Sequence, residues 1–142
     1  MTRYRELIAA WLRGESEPAP VASLVGFRLT AFDGATARLE MEAGARHHNP
    51  MGQVHGGIFA DLADAAMGVV FAATLDEGES FTTLELHVSY LRPVRAGRLL
   101  ATARVVHRGR RVGRVECDVR DAEERLVALA TSTCLVLRQG ES

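Results

Sequence analysis

The sequence predicts an α+β fold, an antiparallel sheet of about six strands wrapped around a long central helix, with a further helix at the N-terminus. Three observations predict it. Residues 58–75, "IFADLADAAMGVVFAATL", carry Ala, Leu, Val and Met on nearly every side, the pattern of a helix buried all round. Asp33-Gly34 separates two alternating runs, a hairpin signal. From Phe81 onward the chain alternates in strand-like runs almost to its end. A helix apolar on all sides and a single sheet have one economical arrangement, in which the sheet curls around the helix. A lone curled sheet leaves one edge and one end of the helix uncovered, so at least a dimer is expected.

Each element has its own signal. Leu7, Ile8, Trp11 and Leu12 form a helical stripe over residues 2–13 that Gly14 ends. Such a helix packs on its own domain or serves as a lid. "ESEPAP" follows as a linker or turn, which sets residues 1–21 apart from a domain over 22–142. The hairpin occupies "LVGFRLTAFDGATARLEME", and a loop rich in Gly, His and Asn, "AGARHHNPMGQVHGG", leads to the long helix. "DEGES" breaks that helix. In "FTTLELHVSYLRP" strict alternation puts Leu84, Leu86, Val88 and Tyr90 on one face and Thr83, Glu85, His87 and Ser89 on the other. "RLLATARVVHR", "RVGRVECDVRD" and "RLVALATSTCLVL", joined by short turns, read as an antiparallel meander.

Composition narrows the function classes. The 142 residues fit one domain, with 47% hydrophobic and 25% charged residues. A net charge of -1 argues against a general nucleic-acid or membrane-surface binder. All 17 basic residues are arginine, a residue suited to bidentate phosphate contacts. Cys117 and Cys134 lie in strand-like runs without zinc-ligand spacing, as reduced core thiols would. The N-terminal apolar run is too short and too charged for a signal peptide or membrane span, which points to a cytoplasmic protein.

The chemistry concentrates around the start of the long helix. His55-Gly56-Gly57 precedes the apolar run. Unpaired N–H groups at a helix start form a partial positive site, and glycine lets a ligand approach them. The pair suits either a tight structural turn or a site that polarises a carbonyl oxygen. Asp61 and Asp64 lie about 60° apart around the helix and face broadly the same way. The helix dipole accounts for Asp61. Asp64 is deeper and flanked by Leu62, Ala63, Ala65 and Ala66, where a carboxylate becomes a stronger base. His47, His48 and His55 lack the spacing of a hydrolytic metal site, so no metal or other cofactor is expected. Arg92, Arg95, Arg108 and Arg111, with Arg98, Arg110 and Arg114, sit around loop ends. They are either solvated turn charges or a docking patch for a phosphorylated carrier such as coenzyme A. Trp11, Phe27, Phe32, Met67 and Phe71 are candidates for an acyl pocket or simply core.

These residues together resemble the hot-dog fold thioesterases, specifically the phenylacetate-degradation thioesterase family. "NPMGQVHGGIFADLAD" is similar to that family's Asn-x-x-Gly-x-x-His-Gly-Gly loop and Asp-bearing helix. "TTLELHVSYLRPVRAG" is similar to its Thr/Ser-x-Glu/Asp strand ending in Leu-Arg-Pro and a Gly turn. The resemblance implies a hot-dog domain over 22–142, homodimers and often homotetramers, an active site at the dimer interface, and metal-free hydrolysis of acyl- or aryl-CoA thioesters. By motif position it implies that Asp64 activates water or attacks directly and that the Gly56 N–H polarises the carbonyl. Asn49 would orient water or thioester from the other subunit's loop, Thr83 would aim the nucleophile, and His55 would support the loop. Gly56 and Asp64 are about 12 Å apart along the helix, which favours a site shared between subunits. Two rivals remain at this point. One is a hot-dog hydratase or dehydratase pairing His47 or His48 with Asp61; the other is a non-catalytic acyl-CoA sensor.

Overall fold

A computed structural model describes residues 2–141. Helix α1 (Arg3–Leu12) and a short α2 (Pro20–Val25) precede a hairpin of β1 (Phe27–Phe32) and β2 (Thr36–Ala43). The central helix α3 (Gly56–Ala72) follows, then β3 (Glu79–Tyr90), β4 (Gly97–Arg108), β5 (Val112–Arg120) and β6 (Leu126–Arg138). The six strands form one antiparallel sheet in the order β1-β2-β4-β5-β6-β3. This is the hot-dog architecture, with the sheet curled around α3.

Local chemistry explains the elements. The Asp33 carboxylate accepts the N–H groups of Ala35 at 2.9 Å and Thr36 at 2.7 Å, while Gly34 takes the left-handed φ of 93° that this turn needs. Pro20 starts α2 at a position where a missing N–H costs nothing, and Gly26, at φ 96°, stops it. The sequence pattern predicts no helix there. Leu24 and Val25, placed with the hairpin, belong to α2 instead. Helix α1 packs on the domain. Ile8 is buried, and Arg5 Nε donates to the Ala73 carbonyl at 2.8 Å, tying α1 to the end of α3.

Two expectations change. The long helix is not buried all round within one chain. Phe59, Leu62, Ala63, Ala66, Met67, Val70 and Phe71 pack into the sheet, whereas Asp61 is exposed and Asp64, Ala65, Gly68 and Val69 are half-buried. One strip of α3 is thus left outside the concave sheet. Strict alternation also fails in β3. The register shifts between Thr83, opposite Cys134, and Glu85, opposite Thr133, so Leu84 is an extra residue and 57% exposed. A bulge reverses the parity of a strand. Phe81 and Thr83 before it face α3, as do Leu86 and Val88 after it; Thr83 does not share a face with Glu85 and His87. The strand itself lies at the edge of the sheet, hydrogen-bonded to β6 on one side.

Candidate active site

The bulge brings Thr83 to the helix. Its hydroxyl donates to Asp64 Oδ1 at 3.3 Å. Asp64 sits on the strip of α3 that the sheet leaves half-covered. Burial pushes its carboxyl above the usual range, the Thr83 hydrogen bond opposes that by favouring the carboxylate, and the neighbouring Asp61 charge adds to the rise. Asp61 itself is exposed and has no hydrogen-bond partner among the described residues. The two carboxylates that the sequence presents as a pair thus separate into one solvated group and one held, partly desolvated carboxyl.

Beneath Thr83 lies a cluster that the sequence reading did not single out. Cys134 is directly across the ladder from Thr83 and is buried; Ser132 Oγ lies 3.9 Å from its sulfur. Burial, with a smaller contribution from the Asp64 charge, raises the Cys134 thiol against hydrogen bonds from Ser132 and Thr83. Cys117 is buried elsewhere in the sheet, its thiol pushed up to about 12 by desolvation. Both thiols are free and buried. Only the β3–β6 register, a long-range property, places Cys134 at the site.

The start of α3 forms the second part. His55 is the N-cap, and its Nδ1 accepts the Gly57 N–H at 2.9 Å, so the ring holds its proton on Nε2. The Gly56 N–H, first of the helix, has no acceptor among the described residues. Tyr90, at the far end of β3, donates its hydroxyl to the Gly56 carbonyl at 2.6 Å and packs edge-on against Phe59. A Cβ at Gly56 would lie 2.9 Å from that hydroxyl, so any larger residue there would push the ring away. Alternation places Tyr90 on a strand face and assigns it no part in the site. A groove of about 320 Å³ opens here, lined by Gly56, Phe59, Tyr90, Arg92 and Val94 among others.

The loop residues are held by the backbone. Asn49 Oδ1 accepts the N–H groups of Met51 at 2.9 Å and Gln53 at 3.2 Å, leaving the side-chain amide nitrogen as the available donor. His47 is buried, with Nδ1 accepting the Gly44 N–H at 3.1 Å and Nε2 donating to the Val25 carbonyl at 2.8 Å. His48 Nε2 contacts the Arg95 carbonyl at 2.7 Å. Both ring nitrogens of His47 are thus engaged, and His48 is engaged through Nε2.

The four arginines separate in the same way. Arg108 bonds Thr74 Oγ1 at 2.9 Å and Glu79 at 3.2 Å and stacks over Phe71, with its guanidinium 5.5 Å from the ring centroid. Arg111 reaches the Val136 carbonyl at 3.3 Å and Glu141 at 2.9 Å. Arg92 and Arg95 are exposed, their guanidinium groups without a partner among the described residues. Of the acyl-pocket candidates, Trp11 and Phe27 line a cavity beside α3; Met67 and Phe71 are sealed in the core, and Phe32 borders a separate cleft.

A six-stranded antiparallel sheet curled around one long helix defines the hot-dog fold class. The profile of the thioesterase superfamily matches residues 51–128, from the loop before α3 into β6. The proofreading thioesterase EntH of Klebsiella pneumoniae is 34% identical over 125 residues, 88% of this chain and 90% of that protein. The 1,4-dihydroxy-2-naphthoyl-CoA hydrolase of Listeria monocytogenes is 26% identical over 115 residues, 81% of this chain and 94% of that one. A phenylacetic acid degradation-related protein of Ralstonia eutropha JMP134 superposes with a TM-score of 0.82 at 36% identity, covering 90% of this chain and 98% of that structure. The chain belongs to the thioesterase superfamily, close to its phenylacetate-degradation branch, and is a thioesterase. No helix among the described residues is long and apolar enough to cross a membrane.

Proposed function

We propose that this acyl-CoA thioesterase uses Asp64 as the carboxylate that activates water or attacks the thioester directly. The observation that carries the reading is the Thr83–Asp64 hydrogen bond inside a partly desolvated strip of α3. A carboxyl raised by burial is a stronger base, and the hydroxyl aims one of its oxygens. The Gly56 N–H, at the positive end of the helix, polarises the thioester carbonyl. His55 fixes the first turn by holding the Gly57 N–H. Along one helix Gly56 and Asp64 stand about 12 Å apart, so one carbonyl is served by Gly56 of one copy and Asp64 of another. The Asn49 amide nitrogen of one copy's loop then orients water or thioester in the shared site. Arg92, which lines the Gly56 groove, and the exposed Arg95 are free to meet the phosphates of coenzyme A, while Arg108 and Arg111 would have to leave carboxylate partners to do so.

The pairing surface is the open edge of β3 together with the part of α3 around Asp61 and Asp64. A long unpaired edge strand invites a partner strand, and Leu84 and Tyr90 stand exposed on it. We assign the chain a homodimer at least, with a homotetramer as the further step, and a cytoplasmic location.

The test is thiol release from a panel of acyl- and aryl-CoA thioesters by the wild-type chain and by Asp64→Asn. Loss of about 10²–10⁴-fold in turnover is expected for the variant. Full turnover by Asp64→Asn would sink the mechanism. Tight binding without turnover by the wild type would mark a sensor, and water addition to an enoyl thioester would mark a hydratase.

A further inference from the structure

The strip of α3 beyond Asp64 borders a cavity that the site described so far does not use. Its volume is about 450 Å³, inside the range of about 300–1,000 Å³ typical of small-molecule sites. Ala65, Gly68 and Ala72 line it from α3, at spacings that put them on one face of the helix. Tyr4, Leu7 and Trp11 line it from α1. Phe27 and Phe81 complete its walls. Ala65 is the residue after Asp64, and Phe81 lies two residues before Thr83 on the same face of β3. Asp64 and Thr83 do not line the cavity themselves, but these neighbours place one of its walls beside the held carboxylate.

Folding alone does not account for this space. The cavity lies open between α1 and α3, and no side chain of this chain fills it. Gly68 shows the same thing independently. It is the weakest ordinary helix former in the middle of α3, and a Cβ added there would meet only Phe81 Cζ, at an ordinary 3.6 Å. Packing within the chain thus leaves room for a larger residue, and its absence keeps the cavity open.

We infer that this cavity, roofed by the N-terminal helix, takes the acyl group of the thioester and that its ligand class is the unsubstituted, linear aliphatic acyl chain of medium length. The inference rests on the thioesterase reading of Asp64. Shape argues for a chain, because Ala65 to Ala72 and Tyr4 to Trp11 each span about 10 Å. Chemistry argues against ring hydroxyls. The polar lining residues Tyr4, Ser16 and Glu17 lie on α1 and the linker and also border neighbouring clefts, so they stand at the rim. A hydroxylated aryl group would bury its donors against Ala, Gly, Val and Phe with no acceptor to meet them.

Two measurements test this on the full chain. Trp11 is the only tryptophan, so its emission reports on the cavity. Titration of octanoyl-CoA into Asp64→Asn, which would consume it only slowly, should shift Trp11 emission saturably, and a dihydroxybenzoyl-CoA should not. In wild-type kinetics, kcat/KM should rise about fourfold per methylene from butyryl-CoA until the cavity is full. Gly68→Leu should lower the decanoyl-to-butyryl ratio of kcat/KM at least tenfold. Trp11→Ala should move the optimum to longer chains, and it serves as well if Gly68→Leu fails to fold. A ratio independent of chain length, or a preference for the dihydroxybenzoyl thioester, would overturn the inference. So would Trp11 emission that follows protein concentration instead of ligand, the sign of a second copy filling the cavity. Saturable octanoyl-CoA binding without thiol release by the wild type would uphold the cavity and refute the hydrolytic reading.

Discussion

Thr83→Val isolates the contact on which the mechanism turns. Valine keeps the shape and removes one hydroxyl, the donor that lies 3.3 Å from Asp64 Oδ1. Hydrogen bonds to charged groups contribute about 1.5–3 kcal/mol. This one is long for an O–H···O bond and half-exposed, so about 1 kcal/mol is reasonable, roughly fivefold in kcat/KM. The pH dependence gives a sharper readout. Asp64 must be ionised to act, so kcat/KM rises with pH through its pKa. Burial raises that pKa, and the Thr83 hydroxyl opposes the rise. Removing the hydroxyl therefore moves the acidic limb to higher pH. Asp61→Asn removes the charge that adds to the rise and must move the limb the other way. The assay is thiol release across the acid range for the three proteins. An unmoved limb in both variants, or movement of Thr83→Val to lower pH, would refute the reasoning.

Four further outcomes follow from the same geometry. The native state favours protonated Asp64, so its effect on stability is most favourable below the ordinary carboxylate range and fades as pH rises through the raised value. Asp64→Asn should therefore raise Tm at neutral pH, with the gain vanishing in acid; calorimetry that finds a lower neutral Tm would contradict this. Gly56→Ala keeps the N–H but puts a Cβ 2.9 Å from the Tyr90 hydroxyl, so about 10–100-fold should be lost from kcat/KM through displacement at the helix start. Gly113→Ala drives a Cβ to 2.8 Å from Cζ of the fully buried Phe71, and closer still to Cε2, so denaturant unfolding should show about 1–3 kcal/mol of destabilisation. Leu84→Lys places a charge on the open β3 edge and should lower the dimer fraction in sedimentation.

Much of this protein was legible in its residues. Asp33-Gly34 specified the hairpin because a turn is a local event that one glycine and one carboxylate settle. The apolar run after His55-Gly56-Gly57 specified the central helix, and the depth of Asp64 within that run marked it apart from Asp61. These readings depend on neighbours within a few residues, where periodicity and capping chemistry act. The tertiary structure decided the rest. Thr83 reaches Asp64 because β3 crosses to the far side of β6 and carries a bulge at Leu84, and alternation by itself assigned it to the wrong face. Cys134, Tyr90 and the cavity under α1 join the site through contacts between residues far apart in the chain. Arg108 looks as free as Arg92 in the sequence and is held by Glu79 in the fold. Strand order, register and ion pairing arise from long-range packing of the sheet against α3, which a local pattern does not encode.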